Sequence, residues 1–223
     1  MQIKSGEILD ELKGVLSGKT LDALLPPLVF AGANALWGLQ TAALCAAGLA
    51  VLLFGLRLAR KQQWRYALFG LGAVAVAVGL ALLTRSAANY YLPAIISGAL
   101  LTALALLSLL ISKPLAAWAS HLTRGWPVDW FWSAQVKPAY TEVTWFWLLF
   151  FTMRLALQIL LYRRGDASTL GWVNALLGWP VTLIVLVASY LYGIWRLRRL
   201  GGPGVDEFVA GKQAPYIGQT RGF

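Results

Sequence analysis

Long apolar blocks separated by short polar or basic steps dominate the chain, at 24–56, 67–83, 93–111, 139–162 and 171–195. Apolar residues fill each block continuously instead of recurring on one stripe, the pattern of helices bounded by lipid and not of surface helices on a soluble core. The first block has 33 residues, far more than the ~20 that cross a ~30 Å hydrocarbon core. Pro26-Pro27, Asn34 and the step Trp37-Gly38-Leu39-Gln40 interrupt it, which predicts two spans at about 24–37 and 40–57 with Gly38 at the turn. A third span is predicted at 67–83, where Gly70, Gly72 and Gly79 permit close helix contacts. Pro93 suits the first turn of a fourth, which Lys113-Pro114 ends. The fifth covers 139–162, and the sixth, 171–195, contains Gly178 and Pro180, which predict a kink or a late start. The expected fold is an all-α polytopic transmembrane helical bundle of six spans, or five if 24–57 forms one re-entrant hairpin.

Outside the blocks, residues 6–17 place Ile8, Leu9, Leu12, Val15 and Leu16 on one helical face, with Glu7, Asp10, Glu11 and Lys13 mostly opposite. Such a short amphipathic helix lies on a membrane surface or caps its own bundle. Residues 114–138 combine Trp118, Trp126, Trp130 and Trp132 with Arg124 and Lys137, a mixture that belongs at headgroup level. Three regions follow: an amphipathic cytoplasmic segment at 1–20, a transmembrane domain at 21–199, and a Gly-rich polar tail at 200–223 with no evident fold of its own, expected to be flexible and cytoplasmic.

Composition settles the class. A hydrophobic content of 59% alone would also suit a rich soluble domain, but only 13% of the 223 residues are charged, against about 25% in soluble domains, and the mean hydropathy is +0.66. A net charge of +10 would elsewhere raise the question of nucleic acid. Here Lys and Arg sit mainly at block ends, where anionic headgroups and the positive-inside rule place them, so no nucleic-acid partner is expected. With six spans, one side carries only Arg85, Arg163 and Arg164 while the other holds most of the cations, which predicts cytoplasmic termini. Residues 1–20 lack the basic start and apolar core of a cleavable signal, so the first block is expected to stay as an anchor. One cysteine, Cys45, and one histidine, His121, build neither a disulfide framework nor a structural zinc site.

The fifth block carries the sharpest chemical signal. Steps of four and three residues align Tyr140, Thr144, Trp147, Phe151, Arg154 and Gln158 on one side of a helix. An arginine at membrane depth costs at least ~2.5–3.5 kcal/mol on insertion scales and needs a partner, water or a path to the interface. The nearest acid on that helix, Glu142, lies twelve residues away, or ~18 Å of rise, and no proposed span interior offers a carboxylate. Two readings stay open. Arg154 snorkels or bonds helix carbonyls, with Gln158 one turn away; or it holds an external anion such as a lipid phosphate, which a guanidinium binds in bidentate fashion. Asn34, in a short Pro-led span, is a further candidate for lining a cavity, and Arg85 with Asn89 for touching headgroups at the outer mouth. Ser120-His121 with Asp129 as the nearby acid makes no argued triad, and no G-x-x-x-x-G-K-[ST] loop is present. No catalytic, cofactor-binding or metal residues are expected.

Three segments carry a resemblance to a known family. They are 25–44, with Pro26, Phe30, Gly38 and Ala42; 92–115, with Pro93, Ile95 and Lys113-Pro114-Leu115; and the fifth block, with Thr144, Trp147, Phe150-Phe151 and Gln158. In order and spacing these resemble the bacterial intracellular septation protein A family and its wider relatives, over roughly residues 22–162. Two family asparagines are replaced by Thr144 and Gln158, and Arg154 stands outside the pattern. The resemblance implies a polytopic protein of the bacterial inner membrane acting in envelope biogenesis, and supplies no catalytic residues. The expected function is therefore non-enzymatic: support of envelope biogenesis or membrane-complex organisation, with membrane lipids and membrane-protein partners, or a homo-oligomer, as companions. Two alternatives are a small transporter or flippase-like binder of an anionic lipid, and an accessory subunit of a larger membrane complex.

Overall fold

The structure is a computed structural model in which residues 18–59 and 64–223 are described, with side chains set aside for 18–24, 64–67 and Trp179. The amphipathic segment expected at 6–17 lies outside the described residues. Among the described residues there is no strand, and nine α-helices and one 3-10 turn follow one another. They are α1 (Gly18–Ala59), α2 (Trp64–Leu83), the 3-10 turn Ala87–Tyr91, α3 (Leu92–Leu110), α4 (Leu115–Arg124), α5 (Val128–Trp132), α6 (Lys137–Arg163), α7 (Ala167–Leu177), α8 (Trp179–Leu200) and α9 (Val205–Val209).

Among the described residues, four helical stretches are long and apolar enough to cross a membrane: Leu25–Ala59, Ala87–Leu110, Lys137–Arg163 and Ala167–Leu200. Leu68–Leu83 is a shorter apolar helix. The chain is thus an all-helical membrane protein. The first and last of these stretches are interrupted where the sequence places glycine. Gly38 leaves helical geometry at φ 80°, ψ 179°, a conformation that only glycine adopts freely. Gly178 stands between α7 and α8 at φ −68°, ψ −114°.

The described residues divide into two compact units, those up to Ile95 with Leu157–Pro180, and Ile96–Ala156 with Val181–Phe223. In the first unit α1 packs on α2 and α7. Its buried positions are mostly alanines, among them Ala31, Ala33, Ala42, Ala43, Ala46, Ala77 and Ala81, so backbones approach closely, as in membrane helix pairs. Phe30, fully buried, stacks on Tyr90 with ring centroids 3.9 Å apart and stands edge-on to Tyr91. Tyr91 donates its hydroxyl hydrogen bond to the Pro27 carbonyl at 3.1 Å. Gly171 of α7 lies where a methyl group would collide with Ala31 and Tyr91.

In the second unit the connection after α3 and the tail after α8 fold onto each other. Trp126, Trp130, Phe131, Val136, Tyr140, Leu197 and Val205 form a buried cluster, with Phe208 and Phe223 packed against it. The tail expected to lack a fold instead carries α9 and closes this aromatic core. Trp130 Nε1 donates to the Pro203 carbonyl at 2.9 Å, and the Phe223 ring stacks on Tyr140 at 4.2 Å. We call this part of the second unit the cap.

Candidate functional site

The stripe predicted on the fifth block is real as a face of α6. Thr144, buried, donates to the Tyr140 carbonyl and accepts from the Ala116 N–H of α4 at 3.1 Å. Trp147 Nε1 donates to Ser189 Oγ of α8 at 3.2 Å. Gln158, also buried, donates from Nε2 to Asn174 Oδ1 of α7, and Asn174 in turn donates to the Leu170 carbonyl. Each of these polar side chains therefore binds α6 to a different helix, the use to which lipid-embedded helices put such groups.

Arg154 is on the same face and is the exception. It is half-buried, and among the described residues it has no hydrogen bond, ion pair or cation–π contact. The helix's own acid is committed elsewhere. Glu142 accepts from Arg196 of α8 in a two-pronged arrangement, at 2.8 Å from both Nε and Nη2, and from the Tyr192 hydroxyl at 2.7 Å.

The other predicted residues separate. Asn89 accepts from the Tyr162 hydroxyl and donates to Thr84 Oγ1, which donates to the Leu80 carbonyl, a polar relay closing one end of the first unit. Arg85 is exposed with φ 53° in the turn after α2. Asn34 is half-buried on α1 with no hydrogen-bond partner among the described residues. The aromatic segment does not act as one surface. Trp126 and Trp130 are buried in the cap, Trp132 is half-buried, and Trp118 keeps 37% of its surface exposed beside Trp132. The outer edge of α4 that carries Trp118 also presents Leu122, 80% exposed.

Two devices that position the cap are absent from the sequence-based expectations. Pro114 precedes α4 and has no capping side chain. The first two N–H groups of α4 are met instead from other helices, Leu115 N–H by Ser108 Oγ at 2.9 Å and Ala116 N–H by Thr144. The second device is Glu207 of α9. Its carboxylate accepts from the backbone N–H of Gly204 at 2.9 Å, of Ile217 at 2.8 Å and of Gly218 at 3.0 Å, tying two distant points of the tail together. The Gly204 N–H, then those of Ile217 and Gly218, hold its pKa below the ordinary carboxylate value. The signal was present in part: Gly204 and Glu207 have the spacing of a capping box. His121 Nδ1–H donates to the Trp126 carbonyl at 2.6 Å, so the one histidine is a fastening of the α4–α5 corner.

Among the described residues no group of three or more His, Cys, Asp or Glu side chains could hold a metal ion. No curated protein and no solved structure matches the chain. A family described as "Protein of unknown function (DUF3159)" matches residues 14–198, a range that takes in α1 to α7 and all but the last two residues of α8. Most of the chain lies within that match, and the protein belongs to this family of unknown function.

Proposed function

We propose that this protein is a non-enzymatic organiser of a membrane complex, acting in envelope biogenesis at the bacterial inner membrane, which it crosses six times with both termini in the cytoplasm. The observation that carries this reading is the cap. The longest connection and the tail, instead of hanging as loops, build a closed aromatic core fastened to the ends of α6 and α8. A fixed surface at the ends of two helices is what a docking platform requires, since ordering loops on binding would weaken association. Trp118, Leu122 and, on the tail, Ile217 at 84% exposure stand outward from it. The resemblance to the septation protein A family points in the same direction.

The test is purification of the tagged full chain from native membranes of a bacterium that encodes it, followed by identification of proteins enriched over an unrelated multi-pass protein. Leu122→Ser with Ile217→Ser, both surface changes, should reduce the enriched partners severalfold without lowering the melting temperature in detergent. Absence of any protein enriched over the control, or enrichment unaffected by the double change, would overturn the reading.

A further inference from the structure

Beyond an organising role, we propose that Arg154 is a binding site for the phosphate group of a membrane anion, seated between the membrane faces on an aromatic floor. Three observations lead there. The first is the unpaired state of a half-buried guanidinium, in a helix whose acid is already held by Arg196 and Tyr192. The second is depth. Arg154 lies nine residues before Arg163 and seventeen after Lys137 in α6, ~13 Å and ~26 Å of helix rise respectively. Side chains of an α-helix lean toward its N-terminal end. From position 154 that direction leads toward Lys137, away from the nearer end, so snorkelling is opposed by geometry in one direction and by distance in the other.

The third observation is what lies on the turn that the side chain leans over. Trp147, Phe150 and Phe151 form a contiguous aromatic cluster there, with ring centroids 5.4 Å apart for Trp147 and Phe151 and 5.9 Å for the two phenylalanines. None of these rings is engaged by the guanidinium as a cation–π partner. An apolar platform next to a bidentate cation is complementary to an amphiphile, with acyl carbon on the rings and a phosphate ester on the fork. A free phosphate would use the fork alone.

The full-length protein, purified in dodecyl maltoside, which contains no phosphate, provides the test. Phosphatidylglycerol and, separately, inorganic phosphate are titrated in, with bound phosphatidylglycerol counted by native mass spectrometry and melting temperature recorded for both probes. The wild type should retain one phosphatidylglycerol per chain saturably. Arg154→Gln should retain at least tenfold less, and Arg154→Lys, which keeps the charge and loses the fork, an intermediate amount. Retention and stabilisation by phosphatidylglycerol alone assign the anion to a lipid headgroup. Stabilisation of the wild type by inorganic phosphate, lost in Arg154→Gln, assigns it to a free anion. If the wild type shows neither response, the proposal fails whatever the variants do. It also fails if Arg154→Gln behaves as the wild type, or if that change removes only a co-purifying protein, which would make the partner a carboxylate on another chain.

Discussion

Replacing Trp130 separates the cap's fold from its chemistry. The indole is fully buried, meets Trp126, Phe131 and Tyr140 edge-on at 5.4, 5.0 and 6.1 Å, and gives its N–H to the Pro203 carbonyl. Trp130→Phe keeps a ring in the cluster but leaves that carbonyl without its donor, a loss of about 1–3 kcal/mol. Trp130→Ala also empties the core, and such truncations cost about 3–5 kcal/mol. Since about 1.4 kcal/mol is a factor of ten in an equilibrium constant, tail opening should rise about tenfold in the phenylalanine variant and by at least about a hundredfold in the alanine variant. Hydrogen exchange of the Gly204, Ile217 and Gly218 amides reads this opening, because each is bonded to Glu207 only while the tail is folded. Amides within α6 serve as the internal reference. If the alanine variant exchanged at the wild-type rate at all three positions, the cap would not be the cooperative unit inferred from its contacts.

Three further outcomes follow from single side chains. Gly171→Ala places a methyl carbon 2.4 Å from both Ala31 Cβ and Tyr91 Oη, and overpacking of this kind should lower stability by about 1–3 kcal/mol; an unchanged melting temperature in detergent would refute it. Tyr162→Phe removes the donor to Asn89 and should cost about 0.6–1.7 kcal/mol, the range for hydrogen bonds between membrane helices, with a larger loss contradicting the view that Thr84 still holds Asn89. The depressed pKa of Glu207 makes tail closure dependent on acid. The staple's contribution is fully present above the ordinary carboxylate value of ~4.3 and is lost as pH falls through the lower folded value. The Ile217 and Gly218 amide resonances should therefore move together in that acid range in the wild type, and Glu207→Gln should remove the step while loosening the tail at neutral pH.

The helices themselves were legible because lipid-facing segments must be apolar throughout and breaks must fall on residues that tolerate them. Gly38, Pro93, the Lys113-Pro114 step and Gly178 all mark the ends or breaks that the structure has. The polar stripe of α6 was legible for the same reason, since few residues other than polar ones can be periodic in an apolar block. Which partners they take was not. Gln158 with Asn174, and Tyr162 with an Asn89 that is 73 positions away, depend on how helices meet, and side-chain type alone carries no such information. The tail was misread because its average composition resembles a solvated linker. Its fold depends on a few anchors, Val205, Phe208 and Phe223, and on one carboxylate, and averaging conceals them. That tail extends past the family match, which ends at residue 198.

The Glu207 staple has a practical corollary for the bench. By gripping the chain at Gly204 and again at Ile217 and Gly218, it turns the intervening stretch into a closed ring whose far side, Gly211–Pro215, is exposed at every position. A loop pinned at its base tolerates insertion at its tip. An epitope placed after Lys212, or a dye on Gln213→Cys, offers a handle for mapping which side of the membrane the cap occupies, with Cys45 as the single other thiol to mask.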